Sequence, residues 1–258
     1  MEDTAIVLPR HVVCILGNWR DLSEVDAIVQ RMSIHGFKLD REFSQLSPDS
    51  RMMSAFEASY DRVAPTMTEK DWQAVKGHTA VAYVLSPPVP KEKATNISGL
   101  TLMLTAELLK GGGVAAKGES AGIAHGRADW LRLAEEYTQA CDLGDVHKQG
   151  AILYWAWVRR PLVDAGLYNS CGMHLLGMPD IEIEGSLDLK VALQWMDLLG
   201  LYLVSDRPTR PIKEGEGFRL KNEGPRRIIR FRPCQRDDPD SFSFNPYGYI
   251  RLEPDNER

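Results

Sequence analysis

Residues 166–203, GLYNSCGMHLLGMPDIEIEGSLDLKVALQWMDLLGLYL, constrain the fold more than any other stretch of the chain. Met173 and Leu175, then Ile181 and Ile183, are apolar at every second position, the period of a half-buried strand. Gly177, Pro179 and Asp180 interrupt the alternation, so the spacing predicts two short strands or one bent strand. Glu182 and Glu184 fall on the face opposite Ile181 and Ile183. After Gly185-Ser186 a helix is expected from near Leu187. Its Leu189, Val191, Ala192, Leu193, Trp195, Met196, Leu198 and Leu199 leave only Lys190, Gln194 and Asp197 as a polar stripe. A helix this apolar belongs in a domain centre. The expected core is therefore one sheet carrying this helix.

A chain of 258 residues suffices for one large domain or two small ones. No stretch approaches the run of about 18 apolar residues that a membrane span needs. The start, MEDTAIVLPR, is acidic and lacks the basic and apolar regions of a secretory signal, so a cytoplasmic protein is expected. Cys14, Cys141, Cys171 and Cys234 are far apart and form no CxxC pair. They read as small buried hydrophobes, not as zinc ligands or disulfides. No metal and no cofactor is expected.

Taken in order, residues 11–18 read as a first strand and Asp21–Met32 as a helix capped by Ser23. Residues 33–46 read as a loop with a short strand at Phe37–Leu39. Ser47-Pro48 opens a helix whose Met52, Met53, Phe56, Tyr60 and Val63 make an apolar stripe. Thr66 and Glu69 suggest a capping box for a short helix carrying Trp72 and Val75, which Gly77 closes. Thr79–Leu85 reads as a strand, Ser98–Lys110 as a buried helix stopped by Gly111-Gly112-Gly113, and Val114–Lys117 as a returning strand. That strand–helix–strand unit is long enough for parallel pairing. Arg127–Cys141 is a further helix. Residues 150–158, GAILYWAWV, read as an aromatic strand with Trp155 and Trp157 on one face. Strands are also expected at Arg226–Arg232 and Tyr249–Leu252, the first with Ile229 and Phe231 facing one way and Arg230 and Arg232 the other. The fold class is α+β: a mixed, largely antiparallel sheet flanked by helices in one globular unit. If two lobes exist, they divide near 142–149.

Gly118-Glu119-Ser120-Ala121-Gly122 fits G-x-S-x-G, the nucleophile elbow, and resembles the elbow of carboxylesterases. A hydrolase built on it would use Ser120 with Asp164 and His174, the one tolerable acid–histidine pair downstream. Against it, Gly122 and Gly126 delay the helix an elbow requires, and no oxyanion loop lies upstream. Ser120, His125 and Asp129 form a second, more local set, with His125 better suited to hydrogen bonding near the helix start. The paired Glu182 and Glu184 have the spacing of an acid–base or two-metal site, and equally that of a solvated strand face.

Charge is unevenly spread. The net charge is −5, yet between Arg207 and Arg236 ten basic residues face three acidic ones. The band lacks the interleaved aromatic residues of a single-strand nucleic-acid binder, and no DNA-binding motif appears. An acidic protein partner suits it better. No direct nucleic-acid or membrane contact is expected.

Thr79–Leu85, the helix to Leu109 with its glycine stop, Ala151–Trp157 and above all Gly172–Ile183 resemble a bacterial family of uncharacterised domains encoded beside toxin genes. The likeness spans residues 70–235. Its members resemble immunity proteins of polymorphic-toxin and type VI secretion systems, the TsiT-type protein among them, whose partner is a nuclease. The resemblance implies a binding protein for a cognate toxin and carries no catalytic residues. Glu182, Glu184, Arg230 and Arg232 are the charged residues expected to meet that partner.

Overall fold

Six consecutive buried residues, Val12–Gly17, form β1. Burial at every position requires cover on both faces, and the computed structural model, which describes residues 7–60, 63–206 and 210–255, supplies it. β1 is the middle of a five-stranded antiparallel sheet with β2 (Lys38–Gln45), β3 (Ala80–Leu85), β4 (Gly113–Gly118) and β5 (Ile123–His125), in the order β2-β3-β1-β4-β5. Successive side chains point to opposite faces. Val13 and Ile15, with Ala82, Val84 and Ala116 of the neighbouring strands, belong to one core, shared with α1 (Leu22–Gln30), α4 (Ala94–Lys110) and α5 (Arg127–Asp142). Cys14, Leu16, Val81, Ala115 and Ala124 belong to the other, with Met52 and Phe56 of α2 (Met52–Tyr60) and Val75 of α3 (Glu69–Lys76).

The second sheet has six strands: β6 (Arg159–Asp164), β7 (Leu167–Cys171), β8 (Asp180–Glu184), β9 (Gly217–Arg219), β10 (Arg226–Arg232) and β11 (Tyr249–Pro254). Their order is β6-β7-β8-β11-β10-β9, and the β8–β11 pairing is parallel while the others are antiparallel. Ile181, Ile183, Ile229, Ile250 and Leu252 face α7 (Leu189–Leu201), whose Ala192, Trp195, Met196 and Leu199 are buried. These residues and those around α4 and α5 form one continuous core. Between the sheets lies α6 (Val146–Trp157), packed against α4, α5 and α7. Trp157 is fully buried beside His11 and Trp130, with ring centroids 4.5 and 5.2 Å away.

The α+β class and the mainly antiparallel pairing stand as expected, but the single sheet is two. β3 and β4 run in the same direction without touching, because β1 lies antiparallel between them and takes both as partners. The strand expected at 150–158 is the last part of α6. Asp145 caps this helix by accepting from the Lys148 N–H, and Ile152, Leu153, Ala156 and Trp157 recur on its buried side. Residues 143–145 make a short turn between α5 and α6, which pack on one another, so the proposed division at 142–149 is a helix–helix connection.

Met173–Leu176 is a 3-10 turn with all four residues buried, not an alternating strand. It sits between Gly172 (φ +122°) and Gly177 (φ +74°), and a Cβ on Gly172 would stand 2.1 Å from the Trp157 carbonyl oxygen. The hairpin lies earlier, where β6 turns into β7 through Ala165 and Gly166, both at positive φ. α7 is also not central. It covers the sheet from one side, and its Leu189, Val191 and Leu198 are exposed. The smaller differences are shifts of cap and boundary. Asp21 caps α1 in place of Ser23, Thr68 with Asp71 makes the capping box of α3, and 38–45 is a full strand.

Candidate functional site

Glu119–Gly122 closes the hairpin between β4 and β5, so the GESAG segment is a turn between strands. No helix starts at Ser120; α5 starts at Arg127. The Ser120 side chain is buried, donates to the Arg10 carbonyl at 2.6 Å and accepts the Val12 N–H at 3.0 Å. It serves as a pin between the turn and the strand leading into β1. Asp164 lies at the end of β6, bonded to Arg236 at 2.7 Å. His174 is fully buried, both its ring nitrogens lack a hydrogen-bond partner, and Nδ1 stands 3.9 Å from Asp180. Nothing links Ser120, Asp164 and His174 into a relay.

His125 and Asp129 do meet. Nδ1 of His125 lies 3.0 Å from the Asp129 carboxylate and Nε2 lies 3.1 Å from the Ala156 carbonyl, near the C-terminus of α6. The ring thus ties β5 to α5 and α6, leaving no nitrogen free for Ser120 or a substrate. Burial works to raise the Asp129 carboxyl, but hydrogen bonds and charge from His125 and Arg132 outweigh it and hold that carboxyl below its ordinary value. Arg132 continues the chain of contacts to Glu136 at 2.8 Å.

This chain of contacts forms one wall of a cleft of about 930 Å³ between the two sheets. α5 and α6 bound it on one side, β6, β7 and α7 on the other. Trp155 of α6 stands in it, 43% exposed. Arg160 is stacked against Trp155 and Tyr154, its guanidinium carbon 4.3 Å from each ring centre. Its Nε donates to Asp197 and its Nη1 to the Val158 carbonyl at 2.8 Å. The Tyr154 hydroxyl donates to the same Asp197 oxygen at 3.0 Å, and burial pushes that phenol well above its usual value. Val163 and Leu189, both exposed, complete the apolar rim.

The four charged residues expected to meet a partner are placed differently from one another. Glu182 is 3% exposed, gripped by Arg251 at 2.7 Å and Arg236 at 2.9 Å. Its carboxylate is therefore an internal anchor and not a contact surface. Glu184 makes a two-point pair with Arg227, at 2.6 and 2.7 Å. Arg230 and Arg232 lie on the more open face, where Glu214 and Glu253 pair with them. Arg210, Arg226 and Arg236 are paired as well. Much of the basic band is thus answered by carboxylates of this chain, several of them distant in sequence. Arg207 lies outside the described residues.

Comparison with protein-family models, curated proteins and solved structures finds no match. Among the described residues, no helix is long and apolar enough to cross a membrane. Among them also, no group of three or more His, Cys, Asp or Glu side chains is placed to hold a metal ion.

Sequence reasoning missed the cleft because its centre comes from a helix read as a strand. The available signals were Trp155 in the WAW run and Asp197 in the polar stripe of α7. Their partner Arg160 carries no local pattern that marks it.

Proposed function

We propose that this chain is an immunity protein, which binds a cognate secreted toxin in the cytoplasm and neutralises it by receiving a toxin segment in the cleft between its two sheets. The observation that supports binding is Trp155, nearly half exposed at the mouth of a cleft and held by its stack with Arg160. A large aromatic side chain fixed in place before binding is the usual centre of a protein interface. Val163 and Leu189 add exposed apolar surface to the same cleft, as the contact centre of an interface needs. The choice of a toxin as partner comes from the resemblance of Gly172–Ile183 and its flanking segments to immunity proteins.

The test is to produce the product of the adjacent gene alone, with this chain, and with a Trp155→Ala variant. Growth arrest by the first, relief by the second and loss of relief by the third support the reading. A neighbour that is harmless alone, or full protection by the variant, refutes it.

A further inference from the structure

We propose that the segment received by the cleft is basic: it presents a lysine or arginine whose aliphatic stem lies on Trp155 and whose charge meets Glu136 and Asp197. The inference rests on the cleft being the binding site, and it adds the chemistry of the occupant.

Six acidic or basic side chains line the cleft, His125, Asp129, Arg132, Glu136, Arg160 and Asp197, together with the phenol of Tyr168. His125 spends one nitrogen on Asp129 and the other on the Ala156 carbonyl. Both oxygens of Asp129 are taken, one by His125 and one by Arg132. Arg132 is tied through Nε and Nη2 to Asp129 and through Nη1 to Glu136. Arg160, only 7% exposed, is tied to Asp197 and to a backbone carbonyl. Two carboxylate oxygens have no hydrogen-bond partner among the described residues. Glu136 uses Oε1 for Arg132, and Asp197 uses Oδ1 for both Arg160 and Tyr154, so Oε2 and Oδ2 remain open. The Glu136 and Asp197 side chains are 37% and 27% exposed.

A visitor therefore meets an indole face, an apolar rim and two open carboxylate oxygens. One residue type answers all three. Lysine and arginine bury their stems on apolar surface while the head stays polar, and their charge is attracted to an indole face. Arg160 already shows that a guanidinium suits the Trp155 ring. The chain as a whole carries −5, and the arginines of its basic band are largely paired internally, so the long-range field also favours a cationic visitor.

The experiment uses the isolated chain labelled with nitrogen-15 on its six tryptophan indoles, the Trp155 resonance being assigned by its loss in Trp155→Phe. Two probes are titrated: acetyl-Leu-Lys-Phe-Lys-Leu-amide and its charge-reversed counterpart acetyl-Leu-Glu-Phe-Glu-Leu-amide. The basic peptide is expected to shift the Trp155 resonance saturably, with binding weakened about threefold or more by Glu136→Gln and by Asp197→Asn. Raising salt weakens it further. The rim variant Glu136→Gln keeps the test sound if Asp197→Asn disturbs the fold. Equal binding of the acidic peptide, no shift with either peptide, or binding indifferent to both variants overturns the proposal. If a toxin is neutralised through Trp155 while the basic peptide does not bind, the basic segment falls and the immunity reading stands. Peptide binding without any protected cell is the opposite result.

Discussion

The hydroxyl of Ser120 donates to the carbonyl oxygen of Arg10 at 2.6 Å. With the Val12 N–H donating back to it, the side chain that looks like a nucleophile in the sequence acts as a clamp on the approach to β1. Ser120→Ala leaves a buried N–H and a part-buried carbonyl without their partner. It is expected to cost about 1–3 kcal/mol in denaturant unfolding. An alkylphosphonate probe is expected to leave the native protein unlabelled. Stoichiometric labelling that disappears in the variant would restore the elbow reading.

Trp157 is where the two halves of the core share one side chain. Its ring touches His11 and Trp130, and its indole N–H donates to the Ser98 carbonyl at 3.2 Å. Trp157→Ala is expected to lose about 3–5 kcal/mol. Trp155→Ala, one helical position from the opposite side, should lose about 1 kcal/mol of stability and yet about 2 kcal/mol or more of partner affinity. Thermal melts beside binding titrations separate the two. A similar drop in melting temperature for both variants would deny Trp155 its special place.

Glu182 is the carboxylate whose loss should matter most in the second sheet. It holds Arg236 and Arg251 in a nearly buried setting. Glu182→Ala leaves Arg251 without its carboxylate and Arg236 with Asp164 alone, and is expected to cost about 3 kcal/mol, whereas Arg232→Ala at the open face should stay within about 1 kcal/mol. Urea midpoints of the two variants compare them directly, and equal shifts would contradict the contrast in burial.

Acid should weaken the fold before any carboxylate titrates. His11 is fully buried, and burial first, then the neighbouring His174, lowers its pKa from 6.5 to about 3. Its Nε2 lies 2.8 Å from Ser98, whose own hydroxyl donates to the Leu175 carbonyl, so the ring is the donor in that contact. A folded value below the unfolded one means that the unfolded chain takes up the proton first. The stabilisation is complete above about 6.5 and is lost as pH falls towards 3, by up to about 5 kcal/mol. Asp129 and Asp71, held below 3.8, pull the same way only in stronger acid. Unfolding measured between pH 7 and 4 should show a slope that flattens in His11→Gln. An unchanged slope would place the acid sensitivity elsewhere.

Local signals carried much of the fold. The six-residue apolar run of β1, the glycine stop after α4 and the stripe of α5 each lie inside one element, so a single window contains them. The run ILYWAW failed because a short segment apolar at every position satisfies the strand and helix patterns equally; Asp145, ten residues before Trp155, was the cap that would have decided it. Met173 and Leu175 alternate only because a 3-10 turn between two glycines buries every residue. Glu182 was correctly placed opposite Ile181 and Ile183, but its burial depends on Arg236 and Arg251, more than 50 residues away. The cleft was invisible for the same reason. Trp155, Arg160 and Asp197 are brought together by the packing of α6, β6 and α7, and no spacing encodes that.

β1, the first strand, sits in the interior of the first sheet, and β11, the last, sits in the interior of the second. During synthesis the earliest strand therefore has no completed site until residues 113–118 have emerged, and β8 and β10 have no strand between them until 249–254 follow. A chain released before residue 249 is made has a gap in the middle of a sheet, two unpaired strand edges and an open core. Such a product exposes strand edges and apolar surface and is fit for proteolysis.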